Sequence, residues 1–443
     1  MPVGDITQGY IFVPAEKNID QTKLNAIAGQ AYINPAFISG QTPASSTGTG
    51  DYFVFLQSGG TLAKILTQDL ASSIGSSSGM TSAITAVRLR SFNAIGDCNF
   101  EVDQRTAGIG ITAVAAGFAQ DRWLAWKTGS ATLVATGKQN AANVLIPGTN
   151  FAITSKFLRA TITTAQASLG AGDALYIRQY IEGPMCRELA SDVSSISILC
   201  RSSVAGLSFG IALNDSASAY SLTNLCTLST ANTWSLLTLP NIPVFTASGT
   251  FPMTPGNVGY ILNIGLASGT TLTAPSNGTW VAGNFIAAQG QSNFAANLNA
   301  TFDIAFIQHE PGPVCTQLMD VPFSGPNGSF EACQRYYQKS YNYGAPVGAV
   351  TTGGVLSFYQ VTVTQLQGSA KFSKTMAKGP TVTIYNWNTG AANALYHNNG
   401  TVYAVSSVNN IGDSGFNAMT VATMPAVVAG AAGQFHYTAD TGW

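Results

Sequence analysis

From about residue 88 to about residue 322 one pattern recurs: a short run of alternating apolar and polar residues, then a turn rich in Gly, Ser and Asn. "RWLAWKT" (Arg122–Thr128), "FLRATITT" (Phe157–Thr164), "ALYIRQYI" (Ala174–Ile181), "ISILCRS" (Ile196–Ser202), "LSFGIAL" (Leu207–Leu213), "NVGYILNIGLA" (Asn257–Ala267) and "TFDIAFIQHE" (Thr301–Glu310) carry it, as does "NFEVDQ" (Asn99–Gln104). Successive side chains of a strand point to opposite faces, so this period of two marks strands with one buried face and one wet face. Many short strands with little helix predict an antiparallel β-sandwich or jelly roll.

Alternation resumes after residue 342, in "VLSFYQVTVTQL" (Val355–Leu366), "PTVTIYNW" (Pro380–Trp387) and "TVYAVSSVN" (Thr401–Asn409). The chain is therefore expected to be mainly β. A small N-terminal module (residues 1–75) and a linker (76–87) precede the large β domain (88–322); a short helix and a further C-terminal β domain (323–443) follow it. In the N-terminal module, "AEKNIDQTKLNAIAGQAYI" (Ala15–Ile33) has helical spacing and "YFVFLQSGGTLAKIL" (Tyr52–Leu66) reads as a hairpin around Ser-Gly-Gly. So small a module buries little by itself and needs something to dock on.

"FEACQRYYQKSY" (Phe330–Tyr341) breaks the period-two pattern. Phe330, Cys333, Tyr337 and Tyr341 are spaced by three, four and four, a helical face, with Arg335 and Tyr336 beside it. Ser329 is a candidate N-cap. A helix of about eleven residues is marginal in water, so its aromatic face must pack on a sheet. It would serve as a plug over a β domain or as an aromatic platform for a sugar or peptide.

Composition narrows the function. Only 9% of the residues are charged, the formal net charge is −1, and no Lys or Arg lies between Arg201 and Arg335 or after Lys378. A surface that tracks phosphates needs clustered cations, so nucleic acid is not an expected partner. No apolar run is long enough to span a bilayer. The six cysteines form no CxxC or zinc-ligand pair and read as small core residues. His309, His397 and His436 are far apart in sequence, and a metal site would need all three. No phosphate-binding loop, HExxH or GxSxG occurs, so neither a cofactor nor a catalytic residue is expected. A glycosidase would need two carboxylates across a cleft; Asp121, Asp173, Glu182, Glu188, Asp192 and Glu310 are the acids available for one. Sugar binding is easier to house, since an aromatic ring stacks on the apolar sugar face and neutral amides bind its hydroxyls. Trp280 in "APSNGTWVAGN", Trp126 and Trp123 are the candidate rings.

Several stretches in order, "RQYIEG" (Arg178–Gly183), "ISILCRSSVAGLSFGIAL" (Ile196–Leu213), "GTWVAGN" (Gly278–Asn284), "IQHEPG" (Ile307–Gly312), "CQRYYQKS" (Cys333–Ser340) and "MAKGPTVTIY" (Met376–Tyr385), resemble a family. It is the receptor-binding or appendage proteins of tailed bacteriophages with a jelly-roll carbohydrate-binding-like domain. Departures are His309 where Leu is usual, Ala377 where Arg is typical, and the extra Cys315. The resemblance implies a virion protein: a tail fibre or receptor-binding appendage that adheres to host cell-surface polysaccharide. It further implies a homotrimer whose N-terminal segment docks on other tail or capsid proteins. A structural head fibre, spike or decoration protein is the alternative of the same kind, and a glycan hydrolase the alternative of another.

Overall fold

The computed structural model describes residues 52–56, 62–66, 92–113, 116–319, 321–325 and 328–443. Contacts divide the chain into two units, Met1–Val87 and Arg88–Trp443. In the first, β1 (Tyr52–Leu56) and β2 (Leu62–Leu66) pair antiparallel, the hairpin that the Ser-Gly-Gly turn predicts. The expected helix at 15–33 and the linker lie outside the described residues.

In the second unit, β3 (Ile111–Ala113), β4 (Ala116–Phe118), β5 (Leu124–Lys127), β6 (Thr132–Leu145), β7 (Ala152–Thr164) and β8 (Ala174–Glu182) lead to helix α1 (Gly183–Leu189). Then come β9 (Ser194–Ser202), β10 (Leu207–Asp215), β11 (Tyr220–Leu228), β12 (Ser235–Ile242), β13 (Val258–Ser268), β14 (Trp280–Ala282) and β15 (Thr301–Pro311). They form two antiparallel sheets, a seven-stranded one ordered β14-β11-β10-β13-β8-β5-β4 and a six-stranded one ordered β12-β9-β15-β7-β6-β3. The chain passes repeatedly from one sheet to the other, β7 to β8 to β9 to β10 and again β11 to β12 to β13. That crossing is what makes the pair a jelly-roll sandwich rather than two meanders.

One core fills the space between the sheets. Leu158, Ile198, Phe302 and Ile304 from the six-stranded sheet meet Ile177, Phe209, Leu262 and Ile264 from the seven-stranded sheet, and Phe209 packs edge-on to Phe302 at 5.0 Å. A polar bond also crosses the core. Tyr260 Oη lies 2.7 Å from His309 Nδ1, and His309 Nε2 lies 3.0 Å from Ser194 Oγ. All six cysteines are free and five are buried; burial pushes the Cys186 and Cys226 thiols up to about 12.

After β15 the chain forms α2 (Ser329–Gln334), β16 (Tyr337–Lys339), β17 (Leu356–Thr362), β18 (Gln365–Lys371), β19 (Thr381–Tyr385), β20 (Ala394–His397), β21 (Val402–Asn409), β22 (Gly415–Val421) and β23 (Ala432–Asp440). β17, β18, β22, β21 and β20 follow one another and β23 pairs with both ends, closing a six-stranded barrel. Phe358, Leu366, Leu395, Phe416, Met419 and Phe435 fill it, as the interior of a small barrel requires. The outer half of β23 continues past the barrel and pairs with β16 on one edge and β19 on the other.

Two expectations are corrected. The helix ends at Gln334, so of the aromatic face only Phe330 and Cys333 are helical; Arg335 is its C-cap, Tyr336 follows, Tyr337 opens β16 and Tyr341 lies beyond it. Its N-cap is Gly328, while Ser329 is already helical and donates to Asn99 Oδ1 at 3.2 Å. "NFEVDQ" is not a strand but buried turns. Asp97 accepts from the Val102 N–H, and Asp103 accepts from Thr106 and Gly108. Side chains that bind nearby backbone donors favour such turns over a ladder.

Burial holds the His309 imidazole down to about 3, far below its ordinary value. The unfolded chain therefore binds one more proton than the folded chain between about pH 6.5 and pH 3. Stability is full above that window and falls as the pH drops through it, by at most about 1.4 kcal/mol per pH unit. His309→Gln keeps hydrogen-bonding capacity without the titration. Urea unfolding should show a shallower loss of stability on acidification in this variant than in the parent.

Candidate functional site

The polar face of "ALYIRQY" turns out of the sandwich. On β8, Tyr176, Arg178 and Tyr180 alternate outward, and their register partners on β5 and β13 are Trp126, Leu124, Asn263 and Ile261. Trp126 stacks on Tyr176 at 6.1 Å with planes 10° apart. The Arg178 guanidinium lies 4.8 Å from the Tyr176 ring centre and 5.7 Å from that of Tyr180. Its Nε donates to Asn263 Oδ1 at 2.7 Å, Asn263 Nδ2 donates to Asn214 Oδ1 at 2.7 Å, and Asn214 Nδ2 donates to Ser221 Oγ at 2.7 Å. One chain of hydrogen bonds thus runs across four strands. Arg178 is buried but its Nη2 has no hydrogen-bond partner among the described residues, while Trp126 and Tyr180 are half-buried.

The other half of this face is covered by the chain itself. The loop between β13 and β15 carries Ile286 and Ala288 onto β13 and β10 at Gly265 and Gly210. A Cβ at Gly265 would stand 2.3 Å from the Ile286 carbonyl oxygen, and one at Gly210 would stand 2.6 Å from the Ala288 nitrogen. Only glycine lets the loop come so close. Ile286 and Leu272 of the loop then border Trp126 and Tyr176 in a small apolar cluster. What the loop leaves uncovered is the strip over β5 and β8, where Trp126 and Tyr180 are half-buried and Leu124, Tyr176 and Arg178 are buried.

The other candidate tryptophans occupy different places. Trp123 is fully buried, stacked on Phe100 at 5.1 Å and bonded through Nε1 to the Asp97 carbonyl. It has no free ring face for a sugar, which corrects its place among the candidate platforms. Trp280 sits on the edge strand β14, its Nε1 donating to the Val244 carbonyl at 3.0 Å and its ring packed edge-on against Phe245 and Phe251. It is half-buried and distant in register from the strip over β5 and β8. Tyr176, Arg178, Tyr180 and Asn263 were absent from the expected set; their alternation on a polar strand face was the signal that could have found them.

The quoted motifs meet at the junction of sandwich and barrel. Glu182, the last residue of β8, is buried and accepts from Arg335 Nε at 2.7 Å, Arg335 Nη2 at 2.6 Å, Tyr336 Oη at 2.7 Å and the Gly256 N–H at 3.0 Å. Burial works to raise this carboxyl, but the bonds from Arg335, Gly256 and Tyr336 outweigh it and hold it below the usual range. The Arg122 guanidinium lies 3.5 Å over the Tyr336 ring and donates to the Tyr180 carbonyl. Cys333, within α2, is fully buried. These residues join two bodies.

The acids show the same commitment. Asp121 binds Gln104 and Arg105, Asp173 binds Gln166 and Gly170, Glu310 binds Gln308 and Thr316, and Asp192 binds the Val193 N–H. Glu188 is exposed on α1. His397 and His436 bond to Gln360 and to Ser340 and Thr351. Among the described residues no group of three His, Cys, Asp or Glu could hold a metal ion, and no helix is long and apolar enough to cross a membrane.

No protein-family model and no curated protein matches the chain. Solved structures similar to part of it include the carbohydrate-binding module TmCBM61 in complex with β-1,4-galactotriose, 12% identical, covering 49% of this chain and 98% of that one at a TM-score of 0.24. A family 11 carbohydrate-binding module from Clostridium thermocellum, in complex with a mixed-linked tetrasaccharide, is 11% identical over 44% of this chain and 91% of its own, at 0.24. The enzymatically active domain of bacteriophage CBA120 tailspike protein 4 is 10% identical over 50% of this chain and 21% of its own, also at 0.24. TM-scores of this size fall short of a shared fold, and the jelly roll stands on the strand order described above.

Two variants test the site's supports. Gly265→Ala should lift the loop from the sheet, costing about 1–3 kcal/mol of stability in urea and exposing residues 270–291 to proteolysis. Glu182→Gln weakens the bonds to Arg335, which is about one-third exposed, and should cost about 2 kcal/mol at neutral pH. A carboxyl held low stabilises the fold above its unfolded-state value, and that contribution disappears as the pH falls through the folded value. The parent's advantage over Glu182→Gln should therefore shrink below about pH 4.5.

Proposed function

We propose that this chain is a non-enzymatic adhesion protein that binds a cell-surface glycan along the strip over β5 and β8 of its seven-stranded sheet, at the partly exposed rings of Trp126 and Tyr180. The observation that carries the reading is Arg178: a guanidinium wedged between two tyrosines and tied to Asn263, with its Nη2 unpaired next to the half-buried rings of Trp126 and Tyr180. A ring to stack on a sugar and a fixed donor for its hydroxyls are what such a site needs. The fixed network keeps both in place before the ligand arrives, which lowers the entropy lost on binding.

The motifs shared with appendages of tailed bacteriophages, "RQYIEG" and "CQRYYQK" above all, support a finer reading. The protein is a tail fibre or receptor-binding appendage, residues 1–75 are its virion anchor, and it works as a homotrimer. Three copies convert a weak single-site affinity into firm attachment.

The test is binding of the full chain to a panel of purified bacterial surface polysaccharides, with oligomeric mass measured in the same samples. Saturable binding that Trp126→Ala and Tyr180→Ala each weaken about tenfold supports the reading. A stable trimer that binds none of the polysaccharides overturns it and favours a structural head fibre or decoration protein, and binding that both variants leave intact overturns the strip as the site.

A further inference from the structure

We propose a second saccharide site, in the cleft of about 540 Å³ where the sandwich meets the ribbon of β16, β23 and β19, and assign it to neutral mono- or disaccharides. It shares no residue with the strip around Trp126, so it stands or falls independently of the function proposed above.

Strand register builds its wall. Thr381 of β19 lies opposite Asp440 of β23, Thr383 opposite Thr438, and Tyr385 opposite His436. Being two residues apart, the first members of these pairs share one face, as do the second. From the sandwich, Phe118 and Arg105 close the far side. The volume falls within the roughly 300–1,000 Å³ of small-ligand sites.

The chemistry of the lining selects the ligand. The hydroxyls of Thr381, Thr383 and Thr438 have no hydrogen-bond partner among the described residues, although Thr438 is buried. A ladder of unpaired hydroxyls beside the half-buried rings of Phe118 and Tyr385 suits a ligand with an apolar face and a rim of hydroxyls.

Charge favours neutral over acidic sugars. Arg105 is the one cation lining the cleft. Its guanidinium is stacked 3.8 Å from the Phe118 ring centre and 4.2 Å from that of Tyr337, with both terminal nitrogens on Asp440 and Nε on the Asp121 carbonyl. Three of its five N–H donors are committed in this way, and the Asp440 carboxylate offsets its charge. The Asp440 side chain, 31% exposed, presents a negative edge instead. That edge accepts from sugar hydroxyls and repels a uronate.

The experiment is calorimetric titration of the full chain with maltose, cellobiose, lactose and digalacturonic acid. The parent is compared with a Thr381→Val/Thr383→Val double variant and with Trp126→Ala. Valine keeps the shape and β-branching of threonine and removes only the hydroxyls, and an unchanged urea midpoint confirms the fold. At least one neutral disaccharide should bind, about tenfold more weakly in the double variant and equally well in Trp126→Ala, with no binding of digalacturonic acid by Trp126→Ala. Failure of all three neutral disaccharides to bind overturns the assignment. So does binding indifferent to the two valines, or lost in Trp126→Ala, or binding of digalacturonic acid that the two valines abolish.

Discussion

A buried carboxylate holds this molecule together. Glu182 ends β8 in the sandwich, and its two oxygens take four hydrogen bonds, three of them from Arg335 and Tyr336 in the segment that leads into the barrel. A carboxylate removed from water is costly unless its lone pairs are filled, and here they are filled only when the two bodies meet in one orientation. Tyr336 then lies under Arg122, whose Nη2 binds the carbonyl of Tyr180. The backbone that presents the strip over β5 and β8 is thus braced by the same contact.

Charge is scarce in the chain and is spent inside it. Asp303 is buried on the outer face of the six-stranded sheet between Arg159 and Arg201, in register on neighbouring strands. Arg105 and Asp440 pin the barrel side to the sandwich side. A chain with 9% charged residues that commits several of them to buried pairs leaves its surface to Ser, Thr, Asn and Gln.

Much of the fold was legible because strands write themselves as alternation, although in β8, β10 and β15 both faces are buried and the expected wet face is absent. The strands of "ALYIRQYI", "LSFGIAL" and "TFDIAFIQHE" stand where the pattern puts them. "CQRYYQKSY" failed because two periods fit it. Phe330, Cys333, Tyr337 and Tyr341 match a helical face, yet Tyr337, Lys339 and Tyr341 also match one face of a strand. Pairing of Tyr337–Lys339 with β23, roughly a hundred residues away in sequence, decides between them. "NFEVDQ" failed for a local reason, since Asp97 and Asp103 bind nearby amides and bend the chain out of the ladder. The site was half legible. Trp126 was identifiable by type, but only the register of β5, β8 and β13 shows which residues stand beside it, and nothing in the sequence says that Trp123, three positions earlier, is fully buried.

β23 belongs to two structures at once. Ala432–Phe435 closes the barrel between β17 and β20, and His436–Asp440 forms the middle of the three-stranded ribbon. The two sets of pairings use separate residues of one continuous strand, so the barrel and the ribbon are held in a fixed relation by its unbroken backbone. A strand spliced through both parts would spread any load over two sets of hydrogen bonds instead of one linker.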